Sequence, residues 1–176
     1  MNYHFQHLIP TDFAENSRVW VYQSNRQFTI EEAMQIEELL EGFANSWLSH
    51  GDKVKGHANL FFGQFIILIA DETATGVSGC STDSSVRLIK NIELDHNVQL
   101  FDRQNLAFVI DERVQLMPLA QLNSSIEEGM ILPDTLYFNN TIQSLNELMT
   151  SWIIPVKDSW LAKRLLVEGT SVGHNH

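Results

Sequence analysis

Apolar residues recur along the chain in two rhythms, one of period two and one close to 3.6, and their alternation lays out a run of elements. "RVWVYQ" (18–23) mixes β-branched and aromatic residues and is closed by the polar "SNRQ", which predicts a strand and a turn. Thr29 followed by Glu32 has the spacing of a capping box, and Ala33, Ile36, Leu40, Phe43 and Trp47 follow at helical spacing. That helix is expected to end near "SHGD", with Gly51 as its stop. "VKGHANLFF" and "QFIILIA", parted by Gly63, predict a hairpin whose second strand is apolar on both faces and therefore central in its sheet.

After the polar, glycine-dotted "DETATGVSGCS", the residues Val86, Ile89 and Ile92 predict a helix capped by Ser81, Thr82 or Asp83. "NLAFVID" (105–111) predicts another strand. Strand, helix, strand, strand, helix, strand is the order of an α+β, ferredoxin-like split βαβ core (βαββαβ), expected over 17–113 behind an N-terminal arm at 1–16. A C-terminal α/β extension at 114–167 then holds a short strand, a helix stopped by Gly129, a strand, and two helical segments broken apart at Pro155. Residues 168–176 are expected to lack order.

Charge narrows the partners. Acidic residues outnumber basic ones by 22 to 11, for a formal charge of -11, so the long-range field repels nucleic acid and anionic lipid. A local basic spot can still hold a small anion, because salt screens the field of the net charge beyond about 8–10 Å. The single cysteine cannot form an internal disulfide, no apolar run approaches the ~20 residues of a membrane span, and the first residues lack the pattern of a secretory signal. A cytoplasmic protein is the expectation.

Candidate chemistry concentrates on the stretch before the second helix. Pairing the hairpin about Gly63 sets His57 opposite Ile69 and Lys55 close to Asp71. In a ferredoxin-like sheet, Arg18 and Asp111 would converge on the same end. Ser78, Gly79, Cys80, Ser81, Thr82, Ser84, Ser85 and Arg87, with Arg18 and Lys55, would then form a seat for a small anion at a helix N-terminus. The bland reading of the same serines and Asp83 is a helix cap.

A catalytic reading makes Cys80 a nucleophile and His57 its base. The helix terminus alone contributes about 0.3–1 kcal/mol, less than the ~1.4 kcal/mol of one pKa unit, so a thiol starting near ~8.5 needs that base or a cation such as Arg87. A second cluster, Ser24, Asn25, Arg26, Asp102 and Arg103, lies at the other end of the sheet, where two arginines could clamp an anion or simply pair with surface acids. No metal-ligand spacing is present, and no cofactor is expected.

"SRVWVYQSNRQFT", "SGCSTDSSVRLIK", "LFDR", "DTLYFNN" and the closing Trp152, Pro155 and Trp160 resemble stretches of a small bacterial family of similar length, often labelled "ABC transporter ATPase". That label implies ATP hydrolysis on a phosphate loop. The chain contains no GxxxxGK[ST], so ATPase activity is not expected. The leading expectation is a non-catalytic module that binds a small anionic ligand or a protein partner and is capable of forming a homo-oligomer. The alternatives are a thiol-dependent enzyme or redox sensor, and a structural subunit of a complex.

Overall fold

The structure, a computed structural model, describes residues 3–73 and 79–166, and of residues 79–81 the backbone alone. Among them are nine short strands and five helices: β1 (Arg18–Gln23), α1 (Ile30–Ser46), β2 (Leu48–Ser49), β3 (Asp52–Lys53), β4 (Lys55–Phe61), β5 (Phe65–Asp71), α2 (Gly79–His96), β6 (Asn105–Ile110), β7 (Arg113–Pro118), α3 (Leu122–Glu127), β8 (Leu136–Phe138), α4 (Leu145–Ser151), β9 (Ile153–Pro155) and α5 (Ala162–Leu165). Helices and strands are both present and every strand pairing is antiparallel, which makes the fold α+β. No helix among the described residues is long and apolar enough to cross a membrane.

The chain divides into two compact units, the first formed by 2–102 with 140–151 and the second by 103–139 with 152–176. In the first unit, the three-stranded sheet has the order β1-β5-β4. Phe65 to Asp71 are all buried, as expected of a central strand. The hairpin register is the one expected from Gly63: Lys55 faces Asp71, His57 faces Ile69, and Phe61 faces Phe65. Alternation then sorts the faces. Tyr22, Ala58, Leu60, Ile66, Leu68 and Ala70 pack against Ile36, Leu40, Trp47, Ile89 and Ile92 of the α1 and α2 layer. The opposite face meets the segment before β1, with Phe5 set edge-on to Phe61 and Phe13 edge-on to His57.

Local chemistry explains the helix ends. The Thr29 side chain accepts from the Glu32 amide while Glu32 accepts from the Thr29 amide, so both halves of the capping box are formed. α1 ends at Ser46, earlier than expected, because Trp47 leaves the helical path and turns inward to 1% exposure. Gly51 (φ 88°) and His50 (φ 51°) form the tight turn between β2 and β3, so Gly51 is a hairpin residue and not the helix stop. α2 starts at Gly79, so Ser81, Thr82 and Asp83 lie inside its first turns and do not cap it. The Ser85 hydroxyl is satisfied within the helix, donating to the Thr82 carbonyl at 2.7 Å.

The ferredoxin-like sheet is not formed as expected. Asn105–Ile110 does not pair with β1; in the second unit's sheet, ordered β7-β6-β8-β9, it lies between β7 and β8. Asp111 (φ 50°) and Glu112 (φ 59°) are the two turn residues between Ile110 and Arg113, so Asp111 does not end a core strand. Ile153–Pro155, expected to be helical, forms β9 against β8. There its β-branched side chains suit a pleated surface and Pro155 ends the strand. Gly129 (φ 72°) follows α3 as expected. This unit's core gathers Leu106, Phe108, Met117, Leu122, Ile131, Tyr137, Val156 and Leu161. The expected tail at 168–176 lies outside the described residues.

Candidate functional site

In the first unit a cleft of about 400 Å³ opens between the end of α1 and the face of α2, lined by Phe43, Ser46, Trp47, Leu48, Ser84, Arg87, Leu88 and Asn91. The helical repeat builds it. Phe43 and Ser46 share one side of α1's last turn and Trp47 follows at its end, while Arg87, Leu88 and Asn91 lie three, four and seven residues beyond Ser84 on one side of α2. The aromatic wall is held from behind: Trp47 packs at 5.0 Å from Phe43 and 5.9 Å from Trp20, measured between ring centroids. Its indole lies on Gly56, where a side chain would have no room.

Ser84, Arg87 and Asn91 bring polar groups to this apolar recess. Arg87 is exposed and forms no ion pair with any described residue. Ser84 and Arg87 belong to the seat expected from sequence. Phe43, Trp47, Leu48, Leu88 and Asn91 do not, although the spacing of Ser84, Arg87, Leu88 and Asn91 could have revealed a common stripe on α2.

The remainder of the expected seat is divided. Arg18 lies opposite Ala70, on the face that bears the helices, stacked at 4.9 Å over Trp20 and 3.5 Å from Glu72. Lys55 lies opposite Asp71 on the other face, 3.3 Å from Asp12 and 3.5 Å from Asp71. Strand alternation separates the two cations, and each already has a carboxylate partner. Ser78 lies outside the described residues, as do the side chains of Cys80 and Ser81; Gly79 and Cys80 open α2. Thr82 is half-buried and Ser85 buried within the same helix.

Asp71 is a buried group that the sequence did not single out. Its carboxylate accepts from the Thr73 hydroxyl (2.7 Å), the Thr73 amide (3.0 Å) and the Ala14 amide (3.1 Å). Those bonds, the Thr73 hydroxyl foremost, with Lys55 nearby, hold its pKa down at about 2. The arrangement is structural: an ionised carboxylate pins the segment before β1 to the end of β5.

His57 shares that face with Lys55 and lies beneath Phe13, away from the layer containing α2. Burial lowers its pKa, opposed in part by a hydrogen bond to the Leu8 backbone, and Nε2 has no partner among the described residues. The expected partner of His57, the Cys80 side chain, lies outside the described residues.

The second expected cluster is a structural clasp. Arg26 grips Glu32 through two hydrogen bonds of 2.8 Å and donates a third, of 2.7 Å, to the His96 carbonyl at the end of α2. The Arg26 hydrogen bond is the first cause of the fall of the Glu32 pKa to about 2. Asn25 exchanges hydrogen bonds with Gln99, its amide donating to the Gln99 carbonyl and its side chain accepting from the Gln99 amide. The Ser24 hydroxyl accepts from the Arg26 amide at 3.4 Å. Asp102 is half-buried and ends one unit, while exposed Arg103 begins the other.

Among the described residues, no group of three or more His, Cys, Asp or Glu is arranged to hold a metal ion. No protein family, curated protein or solved structure matches the chain.

Proposed function

We propose that this protein is a non-catalytic binding module whose α1–α2 cleft takes a small ligand with a flat apolar body and a carboxylate or similar anionic head. The observation that carries the reading is Arg87, a guanidinium without an ionic partner among the described residues, beside a recess walled by Phe43, Trp47 and Leu88. Arg18, Arg26 and Lys55 are engaged by carboxylates of the chain itself. The ligand body packs on Phe43 and Leu88, which buried Trp47 backs, the guanidinium grips two oxygens of the head, and Ser84 and Asn91 supply further polar contacts. A cleft of about 400 Å³ suits a small organic anion. The net charge of -11 opposes nucleic acid as a partner without opposing a ligand that meets Arg87 at short range.

The test is calorimetric titration with a panel of aromatic and aliphatic carboxylates and their neutral amides. Acids are expected to bind in preference to amides. Losing a charge-assisted hydrogen bond costs about 1.5–3 kcal/mol, so Arg87→Ala is expected to weaken acid binding by roughly ten- to a hundredfold. Arg87→Lys keeps the charge and loses the fork, and falls between. Acid binding unaffected by Arg87→Ala, or amides binding as well as acids, would overturn the proposal.

A further inference from the structure

Independently of the cleft, α1 carries a face that nothing in the first unit covers. Ile30 is 82% and Met34 67% exposed on adjacent turns of one side. Glu37, Glu38 and Glu41 continue that side toward the end of the helix. The seventeen residues of α1 contain five glutamates and no basic residue. Glu32 is held by Arg26, whereas Glu31, Glu37, Glu38 and Glu41 have no ionic partner among the described residues. Along its axis this side is apolar first and acidic one turn later.

The chain also carries the complement. Trp160 is 39% exposed and held in place, its indole nitrogen donating to the Tyr137 hydroxyl at 3.1 Å. Lys163 and Arg164 follow three and four residues on, with no carboxylate partner among the described residues, and Leu166 beyond them is 77% exposed. Lys163 lies 5.9 Å over the Trp160 ring, joining the apolar and cationic parts into one patch. An apolar anchor followed one turn later by two cations matches an apolar stripe followed one turn later by acids.

We infer that the outer face of α1 binds the Trp160–Leu166 segment of a second copy of this chain. Trp160 and Leu166 meet Ile30 and Met34, while Lys163 and Arg164 meet Glu37, Glu38 and Glu41. Because the two surfaces differ, reciprocal pairing closes a two-fold dimer, whereas one-way, head-to-tail pairing propagates a ring or an open chain. The patches are small and partly polar, so the association is weak and sensitive to salt.

The test is sedimentation of the full chain from about 10 µM to about 1 mM, a range that spans weak self-association. The native protein is expected to associate as concentration rises, with affinity falling at least about tenfold between about 0.05 and 0.5 M NaCl. Glu37→Lys with Glu38→Lys, and separately Lys163→Glu with Arg164→Glu, are each expected to give a monomer. Mixing the two reversed proteins restores association, because each then offers the surface the other lost. If the lysine pair fails to fold, Glu37→Gln with Glu38→Gln serves in its place and weakens association in the same direction. A native protein that stays monomeric to about 1 mM would overturn the inference, as would association that survives either reversal. Failure of the mixture to associate, with both reversed proteins folded, would overturn it equally.

Discussion

Adding one methyl group at Gly56 tests the support behind the cleft. Gly56 sits on β4 opposite Ala70, and its backbone conformation is open to any residue. A Cβ built there would lie 2.6 Å from Cε3 and 3.2 Å from Cζ3 of Trp47, where ordinary contact begins at 3.4 Å. The indole has little freedom to retreat, being 1% exposed and packed against Trp20 and Phe43. Over-packing of this kind costs about 1–3 kcal/mol, and for a chain of this length each kcal/mol lowers the melting temperature by about 2–4 °C.

Gly56→Ala is therefore expected to lower the urea midpoint and melting temperature and to alter the near-ultraviolet circular dichroism of the displaced tryptophan. Trp47→Phe removes the two atoms that collide. In that background, Gly56→Ala should cost markedly less, a coupling that a double-mutant cycle measures directly. Native stability and an unchanged spectrum for Gly56→Ala would refute the contact, and equal costs in both backgrounds would refute its assignment to the indole.

Two further outcomes follow from the buried groups on the opposite face. Asp71→Asn is expected to destabilise the protein by about 1–3 kcal/mol at neutral pH, since the amide cannot accept all the bonds the carboxylate accepts. The folded pKa of Asp71, about 2, lies below its ordinary value of 3.8, so its ionised form contributes fully above that value. The stability gap between native and Asp71→Asn, followed by urea denaturation, should narrow as pH falls from 3.8 toward 2; a gap independent of pH would count against the ionised anchor. His57 is held neutral by burial, its folded pKa lying below the ordinary 6.5, so its cost grows as pH drops below that value. His57→Phe, which keeps a ring beside Phe13, should flatten the stability profile on that acidic side, and an unchanged profile would show that the imidazole is not the group responsible.

Much of the first unit was legible in the sequence. The capping box at Thr29, the period-3.6 residues of α1 and the hairpin about Gly63 are local patterns, and the chain adopts them with the expected register. Partners distant in sequence were harder to read. Asn105–Ile110 has a strand's composition wherever it pairs, so nothing local distinguished a place beside β1 from the observed place between β7 and β8. Asp111 and Glu112 hid a tight turn because neither is glycine, although both have positive φ. Gly51 misled in the opposite sense, since a glycine stops a helix or turns a hairpin equally well.

The cleft was half visible. Ser84 and Arg87 stood out as polar residues beside the lone cysteine. Phe43 and Trp47 share the spacing of the core residues, and only the inward turn after Ser46 makes them a wall. Arg18 and Lys55 converged in sequence logic because their strands begin at the same end of the sheet, and the pleat sends them to opposite faces.

The return of residues 140–151 to the first unit bears on how the chain can be made and cut. Val19 donates to the Gln143 carbonyl and Ser17 accepts from the Leu145 amide, so the start of the outer edge of β1 is covered by residues that emerge from the ribosome some 120 positions later. Until then, the edge of a sheet whose other strands are complete stands open to any extended chain nearby. No single cut in sequence separates the two units. A fragment ending at residue 102 would keep the core of the first and lose its seam, leaving the start of β1 a strand-seeking edge that the whole chain covers.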